Sequence, residues 1–193
     1  SDQGSGVLVD DSASVQETTA NDIYINNLKL TDDKIQELSQ TYGKSPLPGR
    51  YWYDSQSGFY GIWHGQTLGV LNAGHDFGEM LSDASSGNTG VFINGRELPE
   101  ADIRALEQLF GVQRIPGMWW LDSQGNLGIA GNSMPLANLY SAYSQRNSAG
   151  VNYGGGYGSS GDNYWAGNFG SSGNEEGGFG YVMVDGASVT YGG

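Results

Sequence analysis

The amino-acid sequence predicts an α+β fold, with two tandem ββαββ repeats in one pseudo-symmetric domain and a Gly-rich antiparallel β-meander after it. The stretch Pro-Gly-Arg-Tyr-Trp-Tyr-Asp-Ser-Gln at 48–56 recurs as Pro-Gly-Met-Trp-Trp-Leu-Asp-Ser-Gln at 116–124, 68 residues later. Residues 25–57 and 93–125 align without gaps and share 13 of 33 residues. The composition then changes, because 15 of the last 47 residues are Gly.

These observations divide the chain into three segments. Residues 1–22 are polar and acidic, and we expect a flexible or strand-donating N-terminal arm. Residues 23–146 form the duplicated domain, with repeats at 23–64 and 91–131. Residues 147–193 form a segment rich in Gly, Tyr, Ser and Asn, which we predict as short strands with Gly-rich turns.

The first repeat begins with a predicted hairpin. Ile23-Tyr24-Ile25 favours extended backbone, and Asn26-Asn27 tolerates the positive φ angles of a tight turn before the return strand Leu28 to Leu30. A second hairpin, from Arg50 to Tyr53 and from Phe59 to His64, is joined by a polar turn with Asp at its start. A helix separates the two hairpins.

That helix is predicted from its ends and from its apolar face. Thr31 is an N-cap residue, and Asp32 and Asp33 follow in the first turn, where the helix dipole favours acidic groups. Gly43 ends the helix, because glycine readily takes the left-handed conformation of a C-terminal cap. The apolar face has helical spacing and consists of Ile35, Leu38 and Tyr42.

The second repeat matches the first element by element. Val91-Phe92-Ile93 and Asn94-Gly95 predict a strand and a hairpin turn. Gly111 ends the second helix, and Leu127-Gly128-Ile129 is the last return strand. The apolar face of this helix consists of Ile103, Leu106 and Phe110. We therefore expect both repeats to have the same architecture.

Two connecting segments and the C-terminal segment complete the prediction. Residues 65–90 contain enough apolar side chains to pack on the core, and residues 132–146 are predicted as a short helix. The inward residues of that helix would be Leu136, Leu139, Tyr140 and Tyr143. In the C-terminal segment, Asp185-Gly186 is a hairpin turn signal between strands in Phe179 to Val184 and Ser188 to Tyr191.

Composition and charge exclude several classes of function. The net charge is −13, so the chain lacks the basic footprint of a nucleic-acid-binding protein. No stretch of 18 apolar residues is present, so no membrane insertion is expected, and the absence of Cys removes disulfides and thiolate sites. The first residue is Ser1, and we expect a secreted or cell-surface protein whose signal peptide has been removed.

Catalytic and metal-binding motifs are sparse, and the sequence does not predict an enzyme. His64 and His75 are the only histidines, and neither lies in a nucleophile or zinc motif. Asp54 and Asp122 are related by the repeat, but an Asp that caps its own turn explains both. We expect no cofactor, although calcium is possible because it takes carboxylate and carbonyl oxygens.

Aromatic and β-branched residues are the remaining candidates for contacts. Adjacent aromatic residues on a strand point to opposite faces, so one ring of each pair is expected to be exposed. Exposed rings can stack on sugars or pack in subunit interfaces. The candidate assembly or ligand contacts are Val7, Leu8, Val9, Trp52, Trp63, Trp119 and Trp165.

Two motifs carry a resemblance to known proteins. Pro-Gly-Arg-Tyr-Trp-Tyr-Asp at 48–54 and Val-Phe-Ile-Asn-Gly-Arg-Glu-Leu at 91–98 resemble those of a group of uncharacterised bacterial proteins that end in a Gly/Tyr/Ser-rich tail. The second repeat departs from the pattern at Met118 and at Ala130-Gly131. The resemblance implies a bacterial origin and a recurring domain, and it brings no activity, cofactor or catalytic residue.

The sequence favours a non-enzymatic, exported bacterial structural protein that self-assembles into an extracellular or surface filament or layer. Assembly would proceed by β-strand addition from the N-terminal arm or by stacked aromatic faces, so the expected partner is the protein itself. A glycan-binding module that uses exposed Trp and Tyr is the alternative hypothesis. A third is a hydrolase centred on His64 or His75.

Overall fold

The structure is a computed structural model that describes residues 21–43, 45–148, 182–184 and 187–189. The first unit contains β1 (Ile23–Ile25), β2 (Leu28–Lys29), α1 (Asp32–Tyr42), β3 (Gly49–Tyr53), β4 (Phe59–Ile62) and β5 (Thr67–Val70). The second unit contains β6 (Val91–Ile93), β7 (Arg96–Glu97), α2 (Glu100–Phe110), β8 (Gly117–Leu121), β9 (Asn126–Ile129), β10 (Ala137–Asn138) and α3 (Leu139–Ser148). Strands β11 (Val182–Val184) and β12 (Ala187–Val189) follow.

The described part of the chain has an α+β fold with two five-stranded sheets and three helices. Sheet 1 has the order β2-β1-β3-β4-β5, and sheet 2 has the order β7-β6-β8-β9-β10. Strands β1 and β3 pair in parallel, with Ile23 opposite Gly49, and β6 and β8 pair in parallel, with Val91 opposite Gly117. Because parallel neighbours need a crossover, the chain passes from β1 to β3 through β2 and α1, and from β6 to β8 through β7 and α2.

Local sequence signals set the turns and helix ends. Thr31 caps α1, and its side-chain oxygen accepts a hydrogen bond from the Lys34 N–H at 3.3 Å. Gly43 and Gly111 follow α1 and α2 in the left-handed conformation, with φ of 73° and 69°. Asn26 takes the first position of the β1–β2 turn with a φ of 48°. These predicted end residues are confirmed, although α2 follows Pro99 and has no side-chain cap.

The two sheets and two of the helices stack in alternating layers. One face of sheet 1 packs against α1 around Ile23, Ile25, Leu30, Leu38, Tyr42, Tyr53, Tyr60 and Phe77. The opposite face of sheet 1 shares a core with α2 and with one face of sheet 2, formed mainly by Trp52, Phe59, Val91, Ile93, Ile103, Leu109 and Leu121. Helix α2 therefore lies between the sheets, and the order of layers is α1, sheet 1, α2, sheet 2.

The connecting segments differ in part from the prediction. Residues 65–90 do pack on the core, where Phe77 is 2% exposed, and they also supply β5. The predicted helix 132–146 begins only at Leu139, because the Leu136 N–H donates to the Leu127 carbonyl and β10 pairs with β9. Leu136 is therefore 59% exposed, and its predicted inward position is wrong, whereas Leu139 is fully buried.

The C-terminal hairpin signal coincides with two described strands. Strands β11 and β12 pair antiparallel, with Val182 opposite Val189 and Val184 opposite Ala187. The rest of the predicted meander and the N-terminal arm lie outside the described residues. Among the residues that are described, no helix is long and apolar enough to cross a membrane.

Candidate functional site

The central strand of sheet 1 carries a tryptophan that lies across a glycine. Trp52 on β3 is opposite Gly61 on β4, and a Cβ at Gly61 would lie 2.7 Å from the indole ring. The indole N–H of Trp52 donates to the Gly65 carbonyl at 3.1 Å. The glycine thus permits a flat ring on the sheet, and the hydrogen bond fixes the ring orientation.

The second unit covers Trp52 with a buried polar cluster. The Arg96 guanidinium lies 3.8 Å from the centre of the Trp52 ring, which is a close cation–π contact. Arg96 also donates to Asp102 at 3.0 Å, to Thr67 at 3.1 Å and to Ser85. Asp102 accepts hydrogen bonds from the N–H and the hydroxyl of Thr67 at 3.0 and 2.8 Å. Trp52 and Asp102 are 0% exposed, so this cluster joins the units in the interior.

Sheet 2 repeats the tryptophan arrangement on the opposite side from α2. Trp120 on β8 is opposite Gly128 on β9, and a Cβ at Gly128 would lie 2.5 Å from the indole ring. The Trp120 N–H donates to the Asn132 carbonyl at 2.6 Å. Strand alternation places Trp120 on the face away from α2, because its neighbour Leu121 is buried against the helix. Trp120 therefore occupies in sheet 2 the place that Trp52 occupies in sheet 1.

The face around Trp120 is apolar and accessible. We call Phe92, Met118 and Trp120 the outer face of sheet 2; Phe92 and Met118 are opposite each other on β6 and β8. Met118 is 61% exposed, and Met134 and Leu136, in the segment between β9 and β10, are 66% and 59% exposed. Contiguous exposed apolar side chains on a folded protein mark contact surfaces.

The corresponding part of sheet 1 carries a charged side chain. The equivalents of Phe92 and Met118 are Tyr24 and Arg50, and the Arg50 guanidinium lies 5.3 Å from the centre of the Tyr24 ring. Arg50 also donates to the Asn27 side chain at 2.6 Å. Met118 has a thioether where Arg50 has a hydrated cation. The outer face of sheet 2 therefore lacks the charge that the equivalent face of sheet 1 carries.

The predicted contact residues differ in their burial. Trp52 was expected as a possible surface contact, but its complete burial under Arg96 excludes this. Trp63 and Trp119 are partly buried against the shared core, and the Trp119 N–H donates to the Ile115 carbonyl at 3.2 Å. Val7, Leu8, Val9 and Trp165 lie outside the described residues.

Trp120 was missed, although the sequence contained the necessary signal. The 68-residue offset pairs Trp52 with Trp120, and it pairs Tyr51 with Trp119. Strand alternation therefore places Trp52 and Trp120 on the equivalent faces of their two sheets, and it places Trp119 on the other face of sheet 2. What could not be inferred was which of the two equivalent faces is covered, because the cover comes from residues distant in sequence.

The histidines do not form a catalytic triad in the described residues. His64 contacts the Ser86 hydroxyl through Nδ1 at 2.8 Å, and both side chains are exposed. His75 contacts the Tyr42 hydroxyl through Nε2 at 2.6 Å and stacks on the Phe77 ring. Burial lowers the pKa of His75, so its neutral form is favoured at this site.

The two turn aspartates are held by hydrogen-bond donors. Asp54 accepts from the Ser57 hydroxyl and from the Asn94 amide at 2.6 Å, which links the first unit to the β6–β7 turn. Asp122 accepts from the backbone N–H groups of Gln124 and Asn126, both at 2.9 Å. Among the described residues, no group of three His, Asp or Glu side chains could hold a metal ion.

Comparisons with known proteins identify distant, partial relatives. No protein-family model matches the chain, and no solved structure matches it. The chain is 31% identical over 124 residues to extra-large guanine nucleotide-binding protein 2 of Arabidopsis thaliana, a match that covers 62% of this chain and 14% of that protein. It is 36% identical over 109 residues to extra-large guanine nucleotide-binding protein 1 of the same plant, covering 54% and 12%. The matched region is therefore a small part of these larger proteins.

Proposed function

We propose that this protein is a non-enzymatic structural protein that self-assembles, and that the outer face of sheet 2 forms the contact between two copies. One observation carries the proposal. Trp52 in sheet 1 is fully buried by the second unit, whereas its equivalent in sheet 2, Trp120, is partly exposed beside the exposed Met118. The fold thus contains one covered and one uncovered version of the same surface.

We also propose that the two units are tandem ββαββ repeats. The strand orders of the two sheets, the parallel crossovers and the Trp–Gly pairs Trp52–Gly61 and Trp120–Gly128 support this interpretation. A repeat stacked on one neighbour leaves a face that would accept another, unless a terminal repeat carries a polar outer surface.

The polar outer surface lies on α1, so head-to-tail stacking is disfavoured. Helix α2 turns Ala105 and Leu109 into the shared core, and α1 has Glu37 and Thr41 at the equivalent positions, both exposed. The surface of α1 therefore cannot cover Trp120 as the second unit covers Trp52. A second outer face can do so, because two copies related by a two-fold axis would bury identical apolar patches.

A filament or layer needs a second contact besides this pairing. Strand addition by Val7-Leu8-Val9 remains the prediction for that contact, and these residues lie outside the described part of the chain. Removing residues 1–22 should leave pairs that do not grow into larger assemblies. If the truncated protein forms the same large assemblies on electron microscopy, strand donation is wrong and another second contact must exist.

Introducing a charge on the outer face tests the pairing contact. Met118→Lys should weaken the association of two copies roughly tenfold or more, about 1.4 kcal/mol for each tenfold change, because two ammonium groups would meet in an apolar interface. Val112→Lys is the matched control, since Val112 is 57% exposed but follows α2 and lies away from the outer face. Sedimentation equilibrium measures both dissociation constants.

The sedimentation of the unmodified chain tests the proposal. The unmodified chain should sediment as a pair at micromolar concentrations, and only the Met118→Lys substitution should convert the pair to single chains. A monomer at all concentrations, or equal weakening by both substitutions, would contradict pairing through the outer face of sheet 2.

Glycan binding is the second candidate, and it uses the same tryptophan. Trp120 lies flat against Gly128 and is partly exposed, which is the arrangement of a stacking platform for a sugar ring. Titration calorimetry with glycans that bind the native chain on an array should then show binding that Trp120→Ala abolishes. An array without any bound glycan would dismiss this candidate.

We do not propose nucleotide binding for this chain on the basis of its relatives. Their names describe guanine nucleotide binding, but this chain matches only 14% and 12% of their lengths. Among the described residues, α1 and α2 begin after Thr31 and Pro99 rather than after a Gly-rich phosphate-binding loop. Export to the cell surface and a bacterial origin remain proposals that rest on the sequence alone.

A further inference from the structure

The second unit contains an apolar cavity that is separate from the outer face of sheet 2. It lies between α2 and the opposite face of the sheet and has a volume of about 100 Å³. Its walls are formed by Val91, Ile93, Ile103, Leu106, Phe110, Trp119 and Leu127. Almost no polar surface lines it, so water inside would lack hydrogen-bond partners.

Comparison of the two units explains the cavity. Leu127 on β9 is opposite Leu121, whereas the equivalent residue Tyr60 on β4 is opposite Tyr53. Tyr60 is 6% exposed and contributes its ring to the core under α1. The second unit therefore has an aliphatic side chain where the first unit packs an aromatic ring, and the unfilled volume remains beside Leu127.

The rim of the cavity offers no free charge to a ligand. Arg114 lines the rim, but its guanidinium binds both carboxylate oxygens of Glu100 and lies 3.6 Å from Glu107. Glu107, Gln113, Val112 and Ile115 also line the cavity, and Val112 and Ile115 are 57% and 59% exposed. A ligand that enters here meets the apolar side chains of Val112 and Ile115 beside these paired or polar residues.

We propose that this cavity binds one uncharged aromatic ring, about the size of benzene. The lining is unfavourable for a charged or strongly polar group, and the first unit packs the Tyr60 ring at the position equivalent to Leu127. An enclosed apolar cavity of about 150 Å³ binds benzene in another protein, and a ring in this smaller cavity would extend into its open mouth. The ring belongs to a small free aromatic molecule or to a phenylalanine side chain of a peptide, and both present the same chemistry.

Benzene binding to the native protein tests the proposal without any substitution. Benzene should raise the Tm, and nuclear Overhauser effects should appear between benzene and both the Trp119 indole and the Leu127 methyl groups. The absence of these effects at saturating benzene would overturn the proposal. A blocked Ala-Phe-Ala peptide that displaces benzene would identify a side chain as an acceptable source, and failure to displace it would restrict the site to free aromatic molecules.

A pair of matched substitutions then locates the site. Leu127→Phe supplies the missing ring and should abolish benzene binding while raising the Tm of the ligand-free protein. Tyr60→Phe is the matched control, because it introduces Phe at the equivalent position of the first unit. This substitution leaves the cavity unchanged, so benzene binding should persist. Undiminished benzene binding by Leu127→Phe would show that the ring binds elsewhere and would overturn the assignment.

Discussion

At the scale of single residues, a buried ion pair holds the two units together. Arg96 is 3% exposed and Asp102 is 0% exposed, and together with Thr67 they satisfy one another through hydrogen bonds. A buried charge without its partner carries the full cost of leaving water, so such a pair is more sensitive to the loss of one member than to the loss of both.

The losses of unfolding free energy caused by the single substitutions of this pair should therefore not add in the double variant. Arg96→Met should lower the free energy of unfolding by about 3–5 kcal/mol, because it leaves the Asp102 carboxylate buried without a cation. Arg96→Met combined with Asp102→Asn should lose less than Arg96→Met alone. Urea denaturation measures both, and a double variant that is less stable than the single one would contradict this account.

A second residue-scale feature is the environment of His75. Burial lowers its pKa, and its Nε2 lies 2.6 Å from the Tyr42 hydroxyl, which in turn accepts from the Asn72 N–H. The folded state thus binds a proton on His75 less readily than the unfolded state does. The resulting contribution to stability is complete above pH 6.5 and is lost as the pH falls through the lowered pKa of the folded protein.

His75→Gln should remove this part of the pH dependence. Between pH 7.5 and pH 5.5 the native chain should lose more unfolding free energy than the variant does. His64→Gln is the matched control for a histidine-to-glutamine change, because His64 is exposed and contacts Ser86 instead of Tyr42. Denaturation at the two pH values measures the effect, and equal losses in native chain and His75→Gln would refute it.

Single-residue signals in the sequence identified the turns and caps but not the buried cluster. Thr31 and Gly43 act through their own backbone and its nearest neighbours, so local chemistry was enough to predict them. Arg96 and Asp102 act on Thr67 and Trp52, which are distant in sequence. Charged residues in an acidic, polar chain are normally solvated, and no local pattern distinguished these two.

At the scale of elements, the two Trp–Gly pairs look alike but tolerate change differently. A Cβ at Gly61 would lie 2.2 Å from the Gln66 carbonyl oxygen, a backbone atom that cannot rotate away. The three atoms nearest to a Cβ at Gly128 all belong to the side-chain ring of Trp120, which is partly exposed. An added side chain thus meets backbone at Gly61 but a side-chain ring at Gly128.

Alanine at each glycine tests this difference. Gly61→Ala should lower the unfolding free energy by about 3 kcal/mol, because the β4–β5 pairing must shift, whereas Gly128→Ala should cost about 1 kcal/mol. Thermal unfolding of the two variants gives the comparison. A larger loss for Gly128→Ala than for Gly61→Ala would mean that Trp120, not Trp52, is the more constrained ring.

The elements themselves could be predicted where their periodicity was clear. The helices α1 and α2 and the paired hairpins follow apolar spacing and Asn or Gly turns. The start of α3 could not be predicted, since β10 forms through backbone pairing with β9 and holds Leu136 outside the core. The parallel pairing of β1 with β3 is likewise a tertiary property, which ββαββ spacing alone did not specify.

At the scale of the whole molecule, the stacking order determines which surface is free. The layers run from the polar side of α1 through sheet 1 and α2 to sheet 2, whose outer face carries Met118 and Trp120. Composition and charge made nucleic-acid partners unexpected, but they could not show that the Trp120 face of sheet 2, rather than the Trp52 face of sheet 1, is the accessible one. The packing of the two units decides this.

Proximity of the outer faces in solution tests pairing most directly. The chain has no Cys, so Met118→Cys and Val112→Cys each introduce a single reactive thiol. In a pair with two-fold symmetry a residue near the axis approaches its own copy, so a short bismaleimide should cross-link Met118→Cys into dimers. It should leave Val112→Cys almost entirely monomeric. Equal cross-linking of the two variants, or none with Met118→Cys, would contradict self-assembly through the outer face of sheet 2.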